Sequence, residues 1–243
     1  NSWMRRLTPG GPYSSHRIEE YAARRTCKPT VYTWWLFELP SPKTVQITQF
    51  REAEGVSMCG IAGAISWNRP LPDLAAVRRM GVEMSHRGPD GSGSFVSEDG
   101  RIAFEHRRLA IIDLTEGGAQ PMSTADSRFT ICFNGEIYNY VELRNELKSL
   151  GSVFRSDSDT EVILEGYRHF GTDVFSRLRG MFSLALVDWQ AQKAILVRDR
   201  LGIKPMFFAD VGGVVAFSSE VDPLRNFAGT SEIESSALGH FLR

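Results

Sequence analysis

Residues 181–198 read MFSLALVDWQAQKAILVR. Two runs inside this stretch, Met181 to Trp189 and Lys193 to Arg198, are apolar almost throughout and are parted by a short polar turn. A strand with one wet face alternates apolar and polar residues, whereas an unbroken apolar run marks a strand covered on both faces. The pair therefore predicts two strands at the heart of a layered molecule. Downstream, Pro205 to Ala209 and Val214 to Ser218 flank Gly212-Gly213 and read as another hairpin. Upstream, Phe129 to Phe133 is a strand that ends at Asn134-Gly135. Two helices lie between. The first sets Tyr140, Leu143, Leu147 and Leu150 on one face, with Asn139 and Glu142 as a capping pair and Gly151 as the stop. The second opens with Ser158-Asp159-Thr160-Glu161, the spacing of a capping box, and turns Val162, Ile163, Tyr167 and Phe170 inward.

Nearer the start, Cys59 to Trp67 (CGIAGAISW) reads as a small-residue strand that other backbone approaches closely. Pro72 to Met84 is helical, with Leu74, Val77, Met80 and Met84 recurring at spacings of three and four and Pro72 in the first turn. Phe95-Val96 and Arg101 to Phe104 read as strands about the turn Glu98-Asp99-Gly100. The order is strands, then helices, then strands. That predicts an α+β protein in which two sheets pack together with helices outside, rather than alternating βαβ units.

Composition narrows the function. The 243 residues are 42% hydrophobic and 23% charged, the balance of a globular protein. No apolar run approaches the roughly 18–20 residues of a membrane-spanning helix. A formal net charge of −1 gives no field to hold nucleic acid or an anionic membrane. Cys27, Cys59 and Cys132 cannot make a disulfide framework, which fits a reducing cytoplasm. Five histidines without paired spacing predict no metal site. Residues 1–57 differ from the rest: they hold 5 of the 11 prolines and 3 of the 5 tryptophans, with 8 Lys+Arg against 5 Asp+Glu. Apart from a β-like run from Thr30 to Leu39 they lack periodicity, and they match neither a secretory signal nor a transit peptide. The expectation is a non-native or unprocessed leader, poorly structured, ahead of one domain over 58–243. The opening Asn fits an open-ended fragment.

The residues with chemistry in them stand at the strand ends. In Met58-Cys59-Gly60, a methionine followed by small residues is a trimmable start, and trimming leaves Cys59 with both a thiol and its own α-amine, nucleophile and base on one residue. Arg108 leads into the apolar Leu109-Ala110-Ile111-Ile112, where a guanidinium can hold a carboxylate through two parallel hydrogen bonds. Asn134-Gly135 supplies the two N–H donors an oxyanion needs, and it is equally the dipeptide of a tight hairpin. His86 to Gly91 (HRGPDG) reads as a turn-rich loop, and Asp159 as a first-turn acid favoured by the helix dipole. Cys132 reads as strand packing.

Taken in order, MCGIAG (58–63), HRGPD (86–90), RLAIID (108–113), FNGEIYN (133–139), SDTE (158–161) and RDRLGIKP (198–205) resemble the glutaminase domain of glutamine-hydrolysing asparagine synthase, a class II glutamine amidotransferase. The resemblance covers essentially all of 58–243. It implies a four-layer αββα sandwich of the N-terminal-nucleophile hydrolase type. It also implies roles. Cys59 attacks the glutamine side-chain amide and forms a γ-glutamyl thioester, with its α-amine as proton shuttle. Asn134 and Gly135 hold the oxyanion. Arg108 grips the substrate carboxylate, Leu109, Ala110, Ile111 and Ile112 line the pocket, and Glu136 and Asp159 face the substrate ammonium. Ammonia then passes onward to convert aspartate to asparagine. No cofactor is implied for this domain; ATP and Mg belong to a C-terminal synthetase domain, the expected partner, and the full-length enzyme is expected as a homodimer.

Two features set this chain apart from that pattern. Cys59 is preceded by 58 residues, so its nitrogen is an amide as the sequence stands. The nucleotide-binding run of the synthetase domain is missing, since Gly117-Gly118 and Gly212-Gly213 lead into other residues, and Ala237 to Leu242 reads as a first apolar turn towards that domain. Two other readings stay open: a related amidotransferase with another ammonia acceptor, and a catalytically silent glutamine-binding or scaffolding domain.

Overall fold

The computed structural model describes residues 58–109 and 116–229, together with the backbone of 36–38. The expectations for Ala110, Ile111 and Ile112, for Ala237 to Leu242 and for the rest of residues 1–57 lie outside the described residues.

One sheet holds β1 (Leu36–Glu38), β5 (Met122–Ser123), β6 (Phe129–Ile137), β7 (Gly180–Asp188) and β8 (Lys193–Arg198), in the order β1-β8-β7-β6-β5. The other holds β2 (Gly60–Ile65), β3 (Gly91–Val96), β4 (Ile102–Arg108), β9 (Phe207–Val211) and β10 (Val214–Ser218), in the order β3-β4-β2-β10-β9. Every pairing is antiparallel. Helices α1 (Leu74–Glu83) and α5 (Val221–Ala228) cover the second sheet; α2 (Tyr140–Ser149), α3 (Asp159–Phe170) and the short α4 (Val174–Arg177) cover the first.

Three apolar layers separate these four. Ile131, Phe133, Ile163 and Leu184 pack between the first sheet and its helices. Ala62, Ala64, Val77 and Met80 pack between the second sheet and its own. Ile61, Phe104, Cys132, Ala185 and Phe217 fill the space between the sheets. β7 and β8 are buried on both faces, as their unbroken apolar runs require. The expected αββα sandwich is therefore the observed one.

Several local readings need correction. Gly91–Val96 is one strand, longer than the expected Phe95-Val96: its GSGS half has low strand propensity but pairs with β4 along its whole length. β6 does not end at Asn134-Gly135; it continues to Ile137, opposite Gly180 of β7, so the dipeptide is no hairpin turn. Asn139 does not cap α2 with its side chain, which instead accepts from Arg179 N–H and donates to the Arg177 carbonyl. Ser158 does cap α3, accepting from Thr160 N–H, but Glu161 turns to the N–H groups of Arg155 and Ser156, so only half the capping box forms. Within the β-like run read from Thr30 to Leu39, Leu36–Glu38 pairs antiparallel with β8.

Candidate active site

Cys59 stands at the entry of β2. Alternation along this strand sends Ile61 and Ile65 between the sheets and Ala62 and Ala64 towards the helices, so Cys59, two residues before Ile61, faces the opposite sheet. The Cys59 Sγ accepts the Leu109 N–H at 3.3 Å and lies 3.4 Å from the Leu109 carbonyl. Burial pushes the thiol up; the Leu109 backbone and the charges of Lys204 and Arg108 pull it back, and Asp159 adds to the rise. Its carbonyl accepts from Arg87 Nε at 3.2 Å, and Arg87 Nη1 pairs with Glu220 at 3.1 Å. HRGPDG is thus no plain surface turn: Arg87 is buried and anchors the residue that carries the thiol.

Across the gap is β6, which outruns its neighbour. β5 pairs only as far as Ile131, leaving the following residues with an open edge. In a strand the N–H and C=O of alternate residues point to the same side. The Phe133 N–H goes to Gln120 Oε1 at 2.7 Å and the Ile137 N–H to Asp159 Oδ2 at 2.9 Å. Gly135 lies midway between them. Its partner across β7, Phe182, gives both its N–H and its carbonyl to Asp199, so the Gly135 N–H also points to the open edge. A Cβ at Gly135 would collide with the Met181 carbonyl and lie 2.6 Å from Phe182 Cα, so only glycine lets the two strands close here. The Asn134 side chain alternates to the inter-sheet face, where Nδ2 is buried with no hydrogen-bond partner among the described residues. Native proteins seldom leave such a donor unused. Two idle donors beside a thiol can hold an oxyanion.

Side chains of both charge signs line this cleft. Arg108 closes β4 on the inter-sheet face, two residues after His106 and four after Phe104. Glu136 and Asp159 line the same cleft. Burial pushes Asp159 up to about 6, against the pull of the Ile137 and Thr160 N–H groups, and Glu136 adds to the rise. Cys59, Arg108, Leu109, Asn134, Gly135, Glu136 and Asp159 all line the one cleft.

Sequence reading missed His106, Gln120 and Lys204. His106 had a signal: Ile102, Phe104 and His106 alternate onto one face, so a polar ring continues an inter-sheet apolar row. Gln120 had none, because its role depends on where β5 stops. Lys204 belongs to the RDRLGIKP loop, knotted by Asp199, which accepts the N–H groups of Leu201, Ile203 and Lys204; this buries Lys204 with Nζ 2.7 Å from Met58 Sδ. Among the described residues, no group of His, Cys, Asp and Glu is arranged to hold a metal ion, and no helix is long and apolar enough to cross a membrane.

The glutamine-hydrolyzing asparagine synthetase 1 of Bacillus subtilis (strain 168) is 41% identical over 191 residues, which cover 76% of this chain and 29% of the relative. A putative glutamine-hydrolyzing asparagine synthetase of Mycobacterium tuberculosis (strain ATCC 25618 / H37Rv) is 42% identical over 179 residues, 69% of this chain and 27% of the relative. The chain thus spans under a third of the length of these curated relatives. Among solved structures, the glutamine phosphoribosylpyrophosphate amidotransferase of B. subtilis shares the fold, with a TM-score of 0.60 at 19% identity over 70% of this chain and 44% of that one. Residues 58–243 match the model of the glutamine amidotransferase domain, and the chain belongs to that family of enzymes.

Proposed function

We propose that residues 58–243 hydrolyse glutamine to glutamate and ammonia through a thioester on Cys59, and that the ammonia feeds the ATP-dependent conversion of aspartate to asparagine in a synthetase part of a longer protein. One observation carries the reading: a thiol shares one cleft with two unengaged N–H donors, a guanidinium and two carboxylates. That is the charge pattern of an α-amino acid whose side chain ends in an amide.

The steps follow from the residues. The Cys59 thiolate attacks the γ-carbon; the C=O electrons move to oxygen, where Asn134 Nδ2 and the Gly135 N–H hold the negative charge. The thiol's proton passes through the Cys59 α-amine to the leaving nitrogen, the C–N bond breaks, and ammonia departs from a γ-glutamyl thioester. Water, giving its proton to the same amine, then releases glutamate and the thiol. The working form therefore begins at Cys59, where the family match also begins to within one residue. A reducing cytoplasm suits such a thiol. The test is glutamate release from glutamine by the form beginning at Cys59; no release, with the terminus confirmed by mass spectrometry, overturns the reading. Asn134→Ala is expected to lower kcat by about 10²–10³ with KM little changed.

Asp159 gives a pH-dependent prediction. Only the ionised carboxylate attracts the substrate ammonium. The Kd of glutamine for Cys59→Ala protein, measured by calorimetry, is expected to rise about tenfold per pH unit as the pH falls below about 6. In Asp159→Asn, binding is weak and that dependence is gone. Stability moves the other way. A carboxyl raised from 3.8 to about 6 on folding stabilises the native state below its unfolded pKa, and that contribution is lost as the pH rises through 6. At pH 7 the buried charge costs about 3 kcal/mol, so Asp159→Asn is expected to stabilise the fold in urea titrations while it abolishes tight binding.

A further inference from the structure

The nucleophile and the oxyanion donors belong to different sheets. Cys59 enters β2 in one and Asn134 lies on β6 in the other, so the distance between them depends on how the sheets are held against each other. The filling between the sheets is apolar, and apolar contact has no preferred direction. At the site itself the contact is polar. His106, on β4 of the nucleophile's sheet, reaches across with Nε2 3.1 Å from the Phe133 carbonyl, while Gln120 Oε1 accepts the Phe133 N–H at 2.7 Å. Gln120 is tied in turn to α3, its Nε2 donating to Thr160 Oγ1 at 3.3 Å. A carbonyl only accepts, so Nε2 carries the proton. Burial holds His106 down to about 4, which leaves the ring neutral at neutral pH, with Nδ1 buried and unpartnered beside the cleft.

We propose that His106 and Gln120 are positioning residues: together they clamp the Phe133 peptide on the open edge of β6 and so set the Asn134 and Gly135 donors against the Cys59 sulfur. The inference rests on the glutaminase reading of this cleft. The Phe133 peptide is one bond from Asn134, and without the clamp its N–H and C=O face a cleft with no strand to pair them. The strand would shift to find partners, and a shift of about 1 Å in a catalytic group can cost roughly 10² in rate. Both side chains line the cleft, but the hydrogen bonds they make run to Phe133 and Thr160, so the clamp acts on the rate rather than on substrate binding.

The geometry supplies its own control. A glutamine amide nitrogen reaches the place of His Nε2, and an asparagine amide nitrogen only that of Nδ1. His106→Gln therefore keeps the strut, and His106→Asn and His106→Leu lose it. At the second position, Gln120→Glu keeps an acceptor for the Phe133 N–H and Gln120→Met removes it. Glutamate release is measured for each in the form that begins at Cys59, with thermal melts to confirm folding. The expected result is a kcat about 10²-fold below the parent in His106→Asn, His106→Leu and Gln120→Met, with KM within about threefold. His106→Gln and Gln120→Glu are expected to retain kcat within about fivefold of the parent. A general loss of structure would not sort the variants by reach, nor spare KM. If the His106 variants fail to fold, the Gln120 pair decides. Equal kcat in His106→Gln and His106→Asn, or a loss confined to KM, overturns the clamp; a parent that releases no glutamate sinks the function on which it rests.

Discussion

Cys59→Ala is expected to abolish glutamine hydrolysis, lowering kcat by on the order of 10⁴–10⁶ while leaving glutamine binding intact. The size follows from the lack of a substitute nucleophile among the described residues. Cys132 is fully buried between the sheets, and burial, with the nearby charges of Glu105 and Cys59, raises its thiol well above the ordinary range, so it offers no thiolate. The Ser158 hydroxyl is engaged as the N-cap of α3, and Thr160 accepts from Gln120. Binding survives because, in the proposed function, Arg108, Glu136 and Asp159 hold the α-carboxylate and α-ammonium of the substrate rather than its amide. The check is paired: glutamate release collapses, while calorimetry returns a Kd within a fewfold of the parent KM. Residual turnover within 10² of the parent would mean that Cys59 is not the nucleophile.

Physical chemistry decides which parts of this molecule can be read from its sequence. β7 and β8 were legible because burial on both faces leaves few polar positions, and α1 because Val77, Met80 and its C-cap Met84 are buried at helical spacing. Leu74 belonged to the same pattern yet is 37% exposed, in the solvent-facing first turn of α1. The GSGS half of β3 was illegible because its pairing comes from β4 and not from its own propensity. Cys59, Arg108, Asn134 and Asp159 stood out by residue type at strand and helix ends, and the structure brings them to one cleft. Whether Asn134-Gly135 turned a hairpin or held a charge could not be read locally. What decides it is that β7 runs on to pair with Ile137 while β5 stops at Ile131, a matter of strands more than forty residues apart on one side. His106 and Gln120 were hidden for the same reason.

An unpaired sheet edge is ordinarily a liability that proteins cover or blunt. Here the edge is used residue by residue: Gln120 and His106 take Phe133, Asp159 takes Ile137, and the Gly135 N–H between them points to the open edge. The arrangement is costly, in the buried Asp159 carboxylate and in the idle Asn134 donor, and the cost falls where pre-formed donors hold a developing charge without rearrangement.

Two forms that differ by a single residue, one beginning at Met58 and one at Cys59, are expected to differ in glutamine hydrolysis by about 10²–10⁴, the range a general acid–base supplies. With Met58 attached, the Cys59 nitrogen is an amide and has no basic lone pair for the thiol's proton. Its removal frees an amine whose ordinary pKa is about 7.7–8.0. The buried Lys204 is then the relevant neighbour. Its Nζ lies 2.7 Å from Met58 Sδ and its charge already acts on the Cys59 thiol, so the trimmed form keeps a lysine ammonium in the neighbourhood of the new terminus. A like charge at close range disfavours protonation and keeps the amine basic yet neutral near pH 7. Lys204→Met in the Cys59 form is accordingly expected to shift the acid limb of kcat towards higher pH, because the amine then holds its proton longer. Both forms lack β1, so the comparison leaves the edge of β8 unchanged, and melting temperatures should agree within a few degrees. Equal turnover in the two forms, with both termini verified by mass spectrometry, would show that the proton travels through another group and would remove the α-amine from the mechanism.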